Sequence, residues 1–156
     1  MIQTTHQTYD IQPVRAVLPC DRGTQVVFPA GLTACLRKEH PEYERILHHA
    51  RSSLQYGHPI GFILNEAGEL VELNDTHQST VRQVQPDEDD PGRLMVEFWA
   101  YSPICYLAKD HPEYERIKNT LEHAAAMDEQ VIFANYLHMV EGETETWWKL
   151  LDVRPI

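Results

Sequence analysis

Apolar positions along the chain change period in a fixed order. Over residues 11–18, Val, Ile and Leu recur with polar breaks and Pro13 sits near the start, which predicts a strand tolerant of an edge or a bulge. Cys20-Asp21-Arg22-Gly23 reads as a turn, residues 25–28 as a second strand, and Pro29-Ala30-Gly31 as a second turn. Residues 32–37 make a third strand in which Leu32, Ala34 and Leu36 share a face. The period then lengthens. Tyr43, Ile46, Leu47, Ala50 and Leu54 follow the i, i+3, i+4, i+7 rule and predict one apolar helix stripe. Pro41 suits the first helical position, Glu42 and Glu44 favour the positive end of the dipole, and Gly57 and Pro59 end the helix. Strands over 59–64 and 69–73, joined by the turn residues Asn65 to Gly68, close the set.

The order then runs a second time. Strands are predicted over 80–85, 93–99 and 104–108, a helix carries Tyr114, Ile117, Leu121, Ala124 and Ala125, and strands over 131–136 and 147–153 follow. The two sets share a signature: His40-Pro41-Glu42-Tyr43-Glu44-Arg45-Ile46 returns 71 positions later as His111-Pro112-Glu113-Tyr114-Glu115-Arg116-Ile117. Flanking blocks match as well, with Val26-Val27-Phe28 facing Val96-Glu97-Phe98, Phe62 facing Phe133, and residues 69–73 facing 149–153 at an offset of 80. The offset grows only between blocks, which places insertions in two loops of the second copy, one at residues 87–92 and one at 141–145. Two copies of about 70 residues do not suit a solenoid, which needs about three repeats, and each is near the lower limit for an independent core. The expected division is an N-terminal tail at 1–8, a first repeat at 9–75 and a second at 76–156, joined by a short polar linker at 74–80.

Strand-strand-strand-helix-strand-strand resembles the OB-fold, in which a helix between the third and fourth strands plugs a small five-stranded barrel. The resemblance runs once per copy and rests on element order. It implies a mainly β, α+β chain built as two OB-like barrels packed together.

Composition narrows the partners. Thirteen basic residues against 24 acidic ones give a net charge of −11, and the basic residues are scattered, which disfavours a phosphate backbone. No apolar run approaches the roughly 18 residues of a membrane-spanning helix, and the first eight residues lack a basic start followed by an apolar segment. Cys20, Cys35 and Cys105 leave an odd thiol and suit a reducing compartment, so a cytoplasmic location is expected.

Four candidate sites have plainer readings that the residues favour. The signature could be a ligand site used twice, but Pro as a helix start, Tyr and Ile in the core, and solvated Glu and Arg explain it locally. Adjacent His48 and His49 point about 100° apart on a helix and cannot clasp one ion; no zinc-type spacing occurs, and no metal or cofactor is expected. Cys20-Asp21-Arg22 could hold a thiolate beside a guanidinium, yet no general base is near in sequence. Asp87, Glu88, Asp89 and Asp90 lack the ligand spacing of a calcium loop.

The second copy's aromatics remain. OB-folds bind through strands two and three and the loops joining strands one to two and four to five. Both loops are enlarged and acidic here, strand two is expected to carry Trp99 and Tyr101, and the second loop runs into Trp147 and Trp148 of the last strand. One of two adjacent strand residues faces outward, so one of Trp147 and Trp148 is expected at the surface unless a contact between the copies covers it. Aromatic anchors in a charged rim point to a non-enzymatic binding or adaptor protein that contacts a basic or neutral protein surface. Single-stranded nucleic acid stacked on the aromatics, an enzyme using a site between the repeats, and a homo-oligomer are the alternatives.

Overall fold

A computed structural model describes residues 7–139, 142 and 146–156. Among the described residues ten strands, two α-helices and one 3-10 turn make a mixed α/β chain, which divides into two compact units, Met1–Asp75 and Thr76–Ile156. In the first unit β1 (Thr8–Gln12), β2 (Ala16–Cys20), β3 (Gly23–Val27) and β4 (Thr33–Arg37) precede α1 (Tyr43–Tyr56), β5 (Ile60–Leu64) and the start of β6 (Leu70–Pro86). The remainder of β6, then β7 (Arg93–Phe98), β8 (Tyr101–Ala108), α2 (Tyr114–Met127), β9 (Gln130–His138) and β10 (Trp147–Pro155), belong to the second unit.

The expected pair of OB-like barrels is not what these strands form. In the first unit β1, β5 and the start of β6 pair antiparallel, and β2-β3-β4 form a separate antiparallel sheet; in the second the rest of β6 begins a mixed sheet in the order β6-β7-β8-β10-β9, with β9 also pairing to β6. Pro13 explains the departure in the first unit. It has no N–H to give a ladder and breaks the strand expected over 11–18. The chain before it joins β5, the chain after it joins β3, and the Val14 N–H is satisfied by Ser53 Oγ at 2.9 Å. The second unit pairs β8 with β10 in parallel at Trp148–Cys105 and Lys149–Tyr106, whereas the first retains one isolated bridge at the equivalent place, Cys35 to Glu69. The expected linker is also a strand. Thr76 to Thr80 pair with Ala134 to Gln130 of β9, because backbone pairing does not require apolar side chains.

The helices follow the apolar stripe with one exchange. Ile46, Leu47 and Ala50 are buried in α1, but Leu54 is 42% exposed and Ser53 takes the inward place, donating its hydroxyl to His58 O at 2.6 Å. Gly57 ends α1 in the left-handed conformation at φ 76°, where a residue without Cβ costs least, and its N–H reaches Ser53 O at 2.7 Å. Each unit has its own core with a stacked phenylalanine pair: Phe28 on Phe62 at 4.1 Å, and the matching Phe98 on Phe133 at 3.8 Å.

The repeated signature becomes a repeated clamp. His40 Nδ1 accepts the Glu42 N–H at 3.0 Å, so Nε2 carries the proton and donates to Val71 O at 2.9 Å. His111 does the same with the Glu113 N–H at 3.0 Å and Leu151 O at 2.8 Å. Arg45 then ties Glu42 of the helix start to Glu72 and Leu73 O of β6. Arg116 ties Glu113 to Asp152 and Val153 O of β10. The expected solvated arginines are therefore cross-braces between helix start and last strand.

The two clamps differ in burial, and their removal should differ accordingly. Asp152 is fully buried whereas Glu72 keeps 18% of its side-chain surface. Arg116→Ala leaves Asp152 with Arg154 as its remaining cation and is expected to cost about 2–4 kcal/mol. Arg45→Ala, at a wetter pair, should cost roughly 1–2 kcal/mol. Urea unfolding of both variants checks the order, and equal losses would contradict it.

Candidate functional site

The loop from β6 to β7 is shaped by its own acids. Asp87 Oδ1 accepts the Asp89 N–H at 3.0 Å and Asp90 Oδ1 accepts the Gly92 N–H at 2.8 Å, so two of the four carboxylates close short turns. The turns deliver Arg93 to the start of β7. Its Nε donates to Asp87 Oδ2 at 2.6 Å, with Asp90 at 4.0 Å, and both members of the closer pair are about nine-tenths buried. Burial opposes the charge on Arg93, but the hydrogen bond and charge of Asp87 overcome it and raise its pKa. The same hydrogen bond, helped by the Asp89 N–H, holds the Asp87 carboxyl below its ordinary range.

Alternation along the strands places aromatic rings beside this guanidinium. Cys105 and Leu107 of β8 face the core, so Tyr106 faces outward. Trp147 pairs with His138 across the β9–β10 ladder and shares that outward face. Arg93 lies over Tyr106 at 4.1 Å and over Trp147 at 4.8 Å. Tyr106 meets Trp147 edge-on at 5.6 Å, and His138 lies 4.6 Å from Trp147. Lys149, next outward on β10, approaches Tyr136 at 6.0 Å. A cation held beside two rings by a carboxylate keeps one position.

Of the residues expected from the sequence, Trp147 is central to this cluster and the other three stand elsewhere. Trp148 is half-buried and turns inward against the core. Trp99, 65% exposed, sits in the β7–β8 turn under Arg82 at 4.9 Å. Tyr101 packs on His77 at 4.4 Å and accepts a hydrogen bond from Asn135 at 3.0 Å. Tyr106 lies five positions beyond Tyr101 on β8, about 17 Å of strand. Sequence reasoning missed Arg93, Tyr106 and His138, although strict alternation from Cys105 and Leu107 would have turned Tyr106 outward. The second inserted loop, at 141–145, lies outside the described residues except for Gly142.

Other candidates hold less chemistry. No group of three or more His, Cys, Asp or Glu among the described residues is arranged to hold a metal ion. Burial pushes the Cys105 thiol up to about 11, against a hydrogen bond from Asn135 at 3.6 Å, which leaves it unreactive. Open clefts of about 460 and 470 Å³ lie beside the two clamps, the first lined by Lys38, His40 and Arg45 and the second by Lys109, His111 and Arg116, but the histidines and arginines in them point their donors inward. Among the described residues no helix is long and apolar enough to cross a membrane. No protein-family model, curated protein or solved structure matches this chain.

Burial of His111 holds its pKa below the usual 6.5, outweighing the hydrogen bond to Leu151 O. The folded state therefore resists a proton that the unfolded chain accepts. Stability is full above about pH 6.5 and is lost as pH falls from there toward the depressed folded value. His111→Gln should flatten the dependence of the unfolding free energy between pH 7 and 5; an unchanged slope would assign the loss to other groups.

Proposed function

We propose that the chain is a non-catalytic protein-binding module whose contact surface is the outward aromatic face of the second unit. The observation that supports this most directly is Trp147 and Tyr106 flanking Arg93, since Trp, Tyr and Arg dominate binding hot spots. Preorganisation adds to it: the Asp87 pairing removes the entropy that Arg93 would otherwise lose on binding. The partner presents a neutral or basic protein surface. Net charge of −11 and the exposed Glu88 and Asp89, in the loop that ends at Arg93, favour such a partner and repel phosphate. Exposed Trp99 extends the reading to the β7–β8 turn as a second anchor.

The inward turn of Trp148 separates binding from folding. Trp147→Ala is expected to leave the circular dichroism and urea midpoint near wild type and to weaken capture of specific partners from lysate at least tenfold. Trp148→Ala, which opens a gap against the core, should lower the urea midpoint instead. Equal capture by wild type and Trp147→Ala, with single-stranded oligonucleotide bound at low salt, would overturn the proposal in favour of nucleic acid.

A further inference from the structure

The second unit has a cleft where the first has a cluster of rings. Ile60 pairs with Asp75 at the end of the first unit, and Val131, 71 positions after Ile60, pairs with Pro155 at the end of the second. Asp75 and Pro155 therefore hold equivalent places. The same offset of 71 that relates the two helices puts Thr120 where the first unit has His49, Ala124 where it has Ser53 and Glu129 where it has His58.

Side-chain size sets the difference. His49 Nδ1 lies 3.2 Å from Asp75 Oδ1, and His58 Nε2 lies 3.7 Å from the same oxygen, so two imidazoles close on one carboxylate in the first unit. None of the three has a like residue in the second. Thr120 is short and donates its hydroxyl to Arg116 O at 2.9 Å, and Pro155 has no polar side-chain atom. A cleft of about 270 Å³ is found there, lined by the buried Ala124 and Val131, by Thr120 and Pro155, and by the polar Asn119, His123 and Glu129.

Volume and charge narrow what fits. Sites for drug-sized molecules run from about 300 to 1,000 Å³, so this one suits a ligand of one or two fused rings. Glu129 brings the one carboxylate of the lining, and His123 Nε2 stands 3.8 Å from its Oε2, beyond hydrogen-bond reach. The last turn of α2 has no basic residue and its C-cap is Asp128, so no side chain offsets the negative end of the helix dipole. Both features favour a cation.

We infer that this cleft binds a small planar nitrogen heterocycle in its cationic form. The ligand's ring takes the place that the His49 imidazole takes in the first unit, and a ring N–H donates to the Glu129 carboxylate. The site shares no residue with the aromatic face around Arg93 and works independently of any contact made there.

The test follows amide signals of the nitrogen-15-labelled full-length chain during titration with 2-aminobenzimidazole at pH 6.5, where this probe is a planar cation, and with benzothiazole, an uncharged molecule of the same shape. The cation is expected to bind with a Kd below about 1 mM and to shift amides within residues 119–131 and at Pro155's neighbours. Glu129→Gln should weaken it at least fivefold. Thr120→His, which supplies a ring from the chain as the first unit does, should weaken it at least tenfold while the spectrum stays that of a folded protein. No shift at millimolar probe, shifts scattered over the surface, equal binding of benzothiazole, or full affinity in both variants would overturn the inference.

Discussion

One guanidinium per unit fixes how the helix meets the last strand. Arg45 and Arg116 each hold the glutamate at the helix N-cap, a strand carboxylate and a strand carbonyl at once. Planar, permanently charged and carrying five donors, arginine can do this where lysine cannot. The histidine ahead of the helix ties a second carbonyl of the same strand, two residues earlier, and accepts a backbone N–H that would otherwise point into solvent. Two fixed points on one strand set both its distance from the helix and its direction. The stacked phenylalanines beneath then have a defined gap to fill.

This constraint explains why seven residues recur unchanged while the sheets around them diverge. The clamp is local to a helix start and one strand, and it works whether that strand meets a parallel neighbour twice, as at Trp148 and Lys149, or once, as at Glu69. It also tolerates different burial. His111 is sealed from water and resists protonation, while His40 makes the same two bonds at the surface. Sheet topology is set by longer-range choices, above all where Pro13 breaks the first ladder.

Those levels were not equally visible in the sequence. Period and turn chemistry placed both helices and most strands, because burial on one face leaves a local record. The offset of 80 between residues 69–73 and 149–153 was also legible, and the bonds confirm it: Val71 and Leu151 receive the histidines, Glu72 and Asp152 the arginines. Which ladder a strand joins leaves no such record. Nothing in Thr76 to Thr80 distinguishes a polar linker from a strand paired to β9, and element order alone suggested barrels that the pairings do not form. The candidate surface was half legible. Trp147 could be singled out by type, but Arg93 reads as one scattered base until Asp87 and two rings are seen around it.

The two units put different chemistry at the same place. Lys38 N–H binds Arg22 O and Lys109 N–H binds Gly92 O, so Gly23 and Arg93 occupy equivalent positions, as do Cys35 and Tyr106 opposite Glu69 and Lys149. In the first unit a Cβ at Gly23, at φ 148°, would fall 2.4 Å from Leu36 O, so this position cannot carry a guanidinium. The inserted loop of the second unit relieves that approach, admits Arg93 and supplies Asp87 to hold it. Where the first unit has a glycine no side chain rises at this strand end, and where the second has a longer loop the same spot carries a ring-flanked cation. A difference at one strand end, beside two like clamps, is enough to give the two units unlike surfaces.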